Sequence, residues 1–139
     1  MAAAGDALVG IVVVSHSRRL AEGVAELAAQ MVGPDLAIEA VGGQPDGTLG
    51  TDADGIAAAI RRAERGAGVL VLGDLGSAIL AADAAVEAVG DSVGRVVISG
   101  GPLVEGAVVA AVQASIGQSL DEVMEAAEGA RRLDKGVGR

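Results

Sequence analysis

The sequence predicts an α/β fold: a doubly wound, four-stranded parallel sheet in the order 2-1-3-4, with helices on both faces. Three observations predict it. Short aliphatic runs alternate with longer segments of helical period, which is the pattern of successive βα units. The first run, Ile11-Val12-Val13-Val14, is apolar at consecutive positions, as a strand covered on both faces requires. Polar, glycine-rich stretches follow the runs, where an open parallel sheet carries its binding loops.

The elements follow in order. Residues 1–7 read as a disordered leader, and a single domain spans 8–133. Leu8 to Val14 is the first strand. Arg18 to Val32 is a helix, with Leu20, Val24, Leu27, Ala28 and Met31 at helical spacing, stopped by Gly33-Pro34. Leu36 to Val41 is the second strand. The connection from Gly42 to Asp52 is longer than most strand-to-helix loops, and loops of that length tend to be functional. Asp54 can cap a helix reaching Glu64, with Ile56, Ile60 and Ala63 inward. Val69 to Leu72 is the third strand, and a helix follows from Ala78 to Val89. Arg95 to Ser99 is the fourth strand. Pro102 suits the first turn of a helix running to Ser115. A last amphipathic helix spans Leu120 to Leu133, and 134–139 is a flexible tail.

Composition narrows the function. At 139 residues the chain can bury roughly two-thirds of its unfolded surface. It is 51% hydrophobic yet has no Phe, Tyr or Trp, so its core is aliphatic and no stacking platform exists for bases or sugars. A formal net charge of −9 argues against nucleic acid and anionic membrane surfaces. The absence of cysteine excludes disulfides and thiolate metal sites and fits the cytoplasm. No apolar run approaches the ~20 residues of a membrane span. The start, Met1 to Asp6, has no basic stretch of the signal-peptide kind. With one histidine, a zinc site is not expected. Neither a Gly-x-x-x-x-Gly-Lys-[Ser/Thr] loop nor a Gly-x-Gly-x-x-Gly turn after the first strand is present, so no nucleotide or dinucleotide site is expected. Ser77 lacks the Gly-x-Ser-x-Gly elbow of a hydrolase.

What remains is Ser15-His16-Ser17 at the tip of the first strand. Imidazole is the side chain whose ordinary pKa lets it act as a neutral nucleophile near pH 7. In the order 2-1-3-4 the first and third strands are neighbours with helices leaving on opposite faces, so their ends open one crevice. His16 and Asp74 then stand on its two sides. Asp74 can hold one ring nitrogen and so present the other. The helix N-terminus that His16 opens offers N–H groups to an anion. Ser17, Gly42, Gly43, Thr51, Gly76 and Ser77 can add backbone and hydroxyl donors, the preorganised kind that stabilises group transfer. Each has a plainer reading: Asp74 to Ser77 as a capped turn, the glycines as punctuation, Ser15 and Ser17 as caps, Arg18-Arg19 as a solvated face. Glu105 reads as a solvated charge or one complementing its helix dipole.

Taken together, Val14-Ser15-His16-Ser17, Leu20-Ala21-Glu22-Gly23, Gly42-Gly43…Asp46-Gly47…Gly50-Thr51, Asp74-Leu75-Gly76-Ser77-Ala78 and Pro102-Leu103-Val104-Glu105-Gly106-Ala107 resemble one family over nearly the whole chain. It is the phosphotransfer subunit of phosphotransferase-system-dependent dihydroxyacetone kinase, related to mannose-type enzyme IIA domains. The resemblance implies a phosphocarrier without metal or organic cofactor. His16 would accept a phosphoryl group from phospho-HPr and pass it to ADP on the kinase's nucleotide-binding subunit. It also implies a homodimer. Some members carry HPr-like and enzyme-I-like segments; this chain is expected to lack them and to use a separate HPr. The net negative charge would not steer ADP, so contacts with the kinase subunit are expected to be local and driven by shape. One departure is Ala81, where the family often has Asn, which puts the support of the neighbouring loop in question. Two other readings stand beside this one: a mannose-type IIA domain of a sugar transporter, and a non-catalytic module that senses a small anion.

Overall fold

The computed structural model describes residues 7–138; residues 1–6 of the expected leader and the last residue of the tail lie outside them. Four strands form one parallel sheet: β1 (Gly10–Ser15), β2 (Ile38–Gly42), β3 (Val69–Gly73) and β4 (Val96–Ser99). Their order is β2-β1-β3-β4, as the sequence predicts. Helices α1 (Arg18–Gln30), α2 (Ala53–Ala63), α3 (Gly76–Val89), α4 (Leu103–Ser115) and α5 (Leu120–Gly129) cover its two faces.

The pleat divides the core. Successive strand side chains point to opposite faces, so Ile11 and Val13 of β1 and Leu70 and Leu72 of β3 pack against α1, α4 and α5. Val12, Val14, Val69 and Val71 pack against α2 and α3. The helices meet the sheet mainly through alanines, among them Ala21, Ala28, Ala82, Ala107 and Ala111. Small contact residues let helix backbones come close to the aliphatic strands, which fills the interior without an aromatic ring. Each fully buried Val or Leu contributes about 1.5–3 kcal/mol. Central β1 and β3 are buried, whereas edge strands β2 and β4 are only half-buried along most of their length.

Several boundaries differ from the sequence reading. β1 begins at Gly10 and includes Ser15, because Ser15 still pairs with Gly42 of β2. On α1 the buried residues are Ala21, Val24 and Ala28; Leu20, Leu27 and Met31 share the helical period but lie exposed. Asp54 is not the cap of α2. The cap position falls to Asp52, without a side-chain hydrogen bond, and Asp54 sits in the first turn where its charge complements the dipole. Pro102 takes the cap position of α4, one residue before the helix. α3 starts two residues earlier than expected, at Gly76, which brings Ser77 into its first turn. The last helix is α only to Gly129 and continues as a 3₁₀ turn over Ala130–Arg132. Glu105, in the first turn of α4, pairs with Lys135 at 2.7 Å.

The α1 helix leaves β1 on one face of the sheet and α3 leaves β3 on the other. The C-terminal ends of these two neighbouring strands are therefore not roofed by a crossover. That gap is where the polar residues gather.

Candidate functional site

β1 and β3 run in register, Val14 opposite Gly73, and the N–H of Asp74 donates to the carbonyl of Val14 at 3.2 Å. Both loops therefore start at the same height, which brings His16 and Asp74 together although 58 residues separate them. His16 Nδ1 lies 2.9 Å from Asp74 Oδ1. The same carboxylate accepts three further hydrogen bonds. Oδ2 takes the Ser15 hydroxyl at 2.8 Å and the His16 backbone N–H at 3.0 Å, and Oδ1 takes the Leu75 N–H at 2.7 Å.

Burial pushes the Asp74 carboxyl up, but the bonds from the His16 backbone, Ser15, the His16 ring and the Leu75 backbone outweigh it and hold the group below the usual carboxylate range. Asp74 is thus an anion at neutral pH and can only accept. That fixes the tautomer. In the neutral ring Nδ1 carries the proton, and Nε2 keeps its lone pair. On the far side of the ring Ser77 Oγ lies 2.5 Å from Nε2, so its hydroxyl is the donor there. The His16 ring is thus oriented by Asp74, with Nε2 on the side away from the carboxylate, and its side chain is 25% exposed.

The other expected residues fall in different places. Ser17 caps α1, its Oγ accepting from the Leu20 N–H at 3.2 Å, and its own N–H donates to Ser15 Oγ at 3.0 Å. The opening of α1 is therefore partly closed by serine hydroxyls. α3, unlike α1, has no side-chain cap, and the N–H groups of its first turn, at Gly76 and Ser77, lack an intrahelical acceptor. The openings of both helices thus keep first-turn N–H groups without an intrahelical acceptor, at Arg18 and Arg19 on α1 and at Gly76 and Ser77 on α3. A Cβ on Gly42 would fall 2.5 Å from the Ser17 carbonyl oxygen and 2.7 Å from Arg18 Cα, so this glycine lets β2 lie against the start of α1. Gly43, at φ 77°, turns the chain into the long loop. That loop returns to the site through the Gly50 N–H, which donates to the His16 carbonyl at 2.9 Å. Thr51 follows it and makes no hydrogen bond to the ring, whose partners are Asp74 and Ser77. Ala81 is partly buried against the α2–α3 side of the core, so no side-chain amide stands at that position.

Ser15 is the residue that sequence reasoning undervalued. Read as a cap, it is instead fully buried and bonded to Asp74. A serine in a run of buried aliphatics was the available signal, since a hydroxyl there must find a partner.

A cleft of about 320 Å³ runs along the open edge of β2, lined in part by Arg18, Gln44, Asp52 and Arg62. His16, Asp74 and Ser77 are not among its lining residues.

Fold and site thus define a doubly wound α/β protein with a carboxylate-held histidine at the ends of its central strands. The chain belongs to the family described as PTS system fructose IIA component, EIIA-man, which it matches over residues 10–124. It is 41% identical over 121 residues to a protein of Escherichia coli strain K12 named PEP-dependent dihydroxyacetone kinase, phosphoryl donor subunit DhaM. That match covers 84% of this chain and 26% of the relative, so the chain spans about a quarter of that protein's length. A Listeria innocua protein named PEP-dependent dihydroxyacetone kinase 2, phosphoryl donor subunit DhaM, is 38% identical over 119 residues, 85% of this chain and 95% of its own. Among solved structures, the unknown-function protein EF1359 superposes with a TM-score of 0.81 at 30% identity, over 95% of this chain and 100% of the other. A sigma-54 interaction domain protein from Enterococcus faecalis shares the fold at 16% identity, with a TM-score of 0.63 over 89% of this chain and 90% of its own.

Proposed function

We propose that this chain is a histidine phosphocarrier, the phosphoryl donor subunit of a dihydroxyacetone kinase driven by phosphoenolpyruvate. The observation that carries the reading is the His16–Asp74 pair, with Nδ1 on the carboxylate and Nε2 facing outward. The Nε2 lone pair attacks the phosphorus of phospho-HPr. The new N–P bond forms as the bond to the donor's imidazole breaks, and that imidazole leaves with the electron pair. The Nδ1 proton stays in place, so phospho-His16 carries a cationic ring against the Asp74 anion. Gly76 and Ser77 donate to the phosphoryl oxygens. In the second transfer a terminal phosphate oxygen of ADP, bound on the kinase subunit, attacks the same phosphorus, and the N–P pair returns to Nε2. Ser17, Gly42, Gly43 and Thr51 shape the surface around the ring in this reading.

The relatives' names and the open display of His16 both support transfer between proteins. No metal or organic cofactor takes part in this scheme. The setting is the cytoplasm, and among the described residues no helix is long and apolar enough to cross a membrane. A homodimer belongs to the same reading, and the exposed Leu20, Leu27 and Met31 on one side of α1 offer an apolar face for it. Light scattering at twice the chain mass, lost in Leu27→Glu, checks that part.

The test is incubation with enzyme I, HPr and radiolabelled phosphoenolpyruvate. An acid-labile, base-stable label is expected, absent from His16→Ala. Label that persists in the variant, or that survives acid, overturns the assignment. A second acceptor has support from the family description, which names a fructose IIA component. Chasing the labelled chain with ADP-loaded kinase subunit is expected to release the label as ATP. Release only to a sugar-specific IIB domain would make this a transporter component instead. A chain that takes no label but binds phosphate at the strand ends would be an anion sensor.

A further inference from the structure

Ser15 ends β1, and none of its surface reaches solvent. Its hydroxyl has one hydrogen, which goes to Asp74 Oδ2 at 2.8 Å, and its oxygen accepts the Ser17 N–H at 3.0 Å. Both partners leave no choice of direction, because the carboxylate only accepts and the amide only donates. Oδ2 is thus held by two donors, the Ser15 hydroxyl and the His16 N–H, on the side away from the ring. That grip sets the plane of the carboxylate. With Oδ2 fixed, Oδ1 stands 2.9 Å from His16 Nδ1. The hydroxyl also links the carboxylate to the backbone that opens α1, so ring, carboxylate and helix start form one connected set. Such sets lose more than one bond's worth of order when a member is deleted.

We infer that Ser15 is a positioning residue for the phosphocarrier: it fixes the Asp74 carboxylate so that the proton of the neutral His16 ring stays on Nδ1 and the lone pair stays on Nε2. The Ser15 hydroxyl makes no hydrogen bond to the imidazole and acts on it only through Asp74. The inference rests on the reading of His16 given above, and its test separates the two.

The variants are Ser15→Ala, which removes the hydroxyl, and Ser15→Thr, which keeps it; a melting curve for each establishes that it is folded. The readouts are the His16 tautomer, from ring nitrogen chemical shifts in the ¹⁵N-labelled protein above the titration of the ring, and the rate of labelling from phospho-HPr. Wild type is expected to hold Nδ1–H alone. Ser15→Ala is expected to show a mixture of tautomers and label about tenfold more slowly, as loss of one bond to a charged group implies. Ser15→Thr is expected to restore both. An alanine variant with the wild-type tautomer overturns the inference, whatever its rate. So does a folded threonine variant no better than alanine, since packing would then explain the loss. If wild type takes no label at all, the phosphocarrier reading fails, and the tautomer comparison still decides whether Ser15 orients the ring.

Discussion

The hydroxyl of Ser77 lies 2.5 Å from Nε2 of His16, across the ring from Asp74. The nitrogen proposed to take the phosphoryl group is therefore already solvated by a donor in the free protein. That donor must turn aside when phosphorus arrives, and a phosphoryl oxygen is the natural next acceptor. Ser77→Ala is expected to slow labelling by about ten- to a hundredfold, below the roughly 10²–10³ of a buried donor aimed at developing charge, because this one is exposed. Stopped-flow or quench-flow labelling measures it, and melting should be unchanged.

Asp74→Asn is expected to be far more damaging. Each carboxylate oxygen accepts from two donors: Oδ2 from the Ser15 hydroxyl and the His16 N–H, Oδ1 from the His16 ring and the Leu75 N–H. An amide must turn its NH₂ toward one of these pairs. Facing the ring, it forces the proton onto Nε2 and removes the nucleophile. A loss on the order of 10³–10⁴ in labelling rate is expected, as for other carboxylates that set a histidine tautomer. A loss under tenfold would count against the orienting role.

The same carboxylate links the site to acid stability. Its folded pKa is depressed by the hydrogen bonds it accepts, against the opposing effect of burial. The unfolded group titrates near ~3.9. Its stabilising contribution is therefore complete above that value and is lost as pH falls through the lower, folded value. Melting temperatures recorded between pH 6 and pH 3 should fall less steeply for Asp74→Asn than for the wild type.

At the other end of the sheet, Glu64 follows α2 and receives the N–H groups of Gly66, Gly68 and Gly94 at 2.6, 3.2 and 2.9 Å. It ties together the loops that enter β3 and β4. Glu64→Gln turns an NH₂ toward at least one of these donors and is expected to cost about 1–3 kcal/mol in denaturant unfolding. Labelling of His16, at the opposite strand ends, should be unaffected below the melting range.

Gly42→Ala places a methyl group against the Ser17 carbonyl and Arg18 Cα, both backbone. Either β2 or the turn carrying His16 must move. About 1–3 kcal/mol of destabilisation is expected, together with changed chemical shifts at His16 in the folded fraction. Unchanged His16 shifts would mean that β2 alone yields.

The amino-acid sequence by itself determined the sheet and its order. Ile11 to Val14 and Val69 to Leu72 are aliphatic at every position, which only strands covered on both faces need, and the intervening helical segments then allow few right-handed arrangements. It also singled out His16 and Asp74, because polar residues at the tips of such strands have nowhere to go but the crevice. What only the tertiary structure decided was the use of the serines. Ser15, Ser17 and Ser77 look alike in the sequence, yet one is buried on the carboxylate, one caps α1 and one faces the ring. Likewise, the period of α1 marks Leu20, Leu27 and Met31 as equals of Val24, and the fold leaves all three outside. A hydroxyl or a leucine is compatible with several environments, and local spacing cannot choose among them. The choice comes from the register of β1 on β3, which sets the height and direction of every atom that the two loops carry.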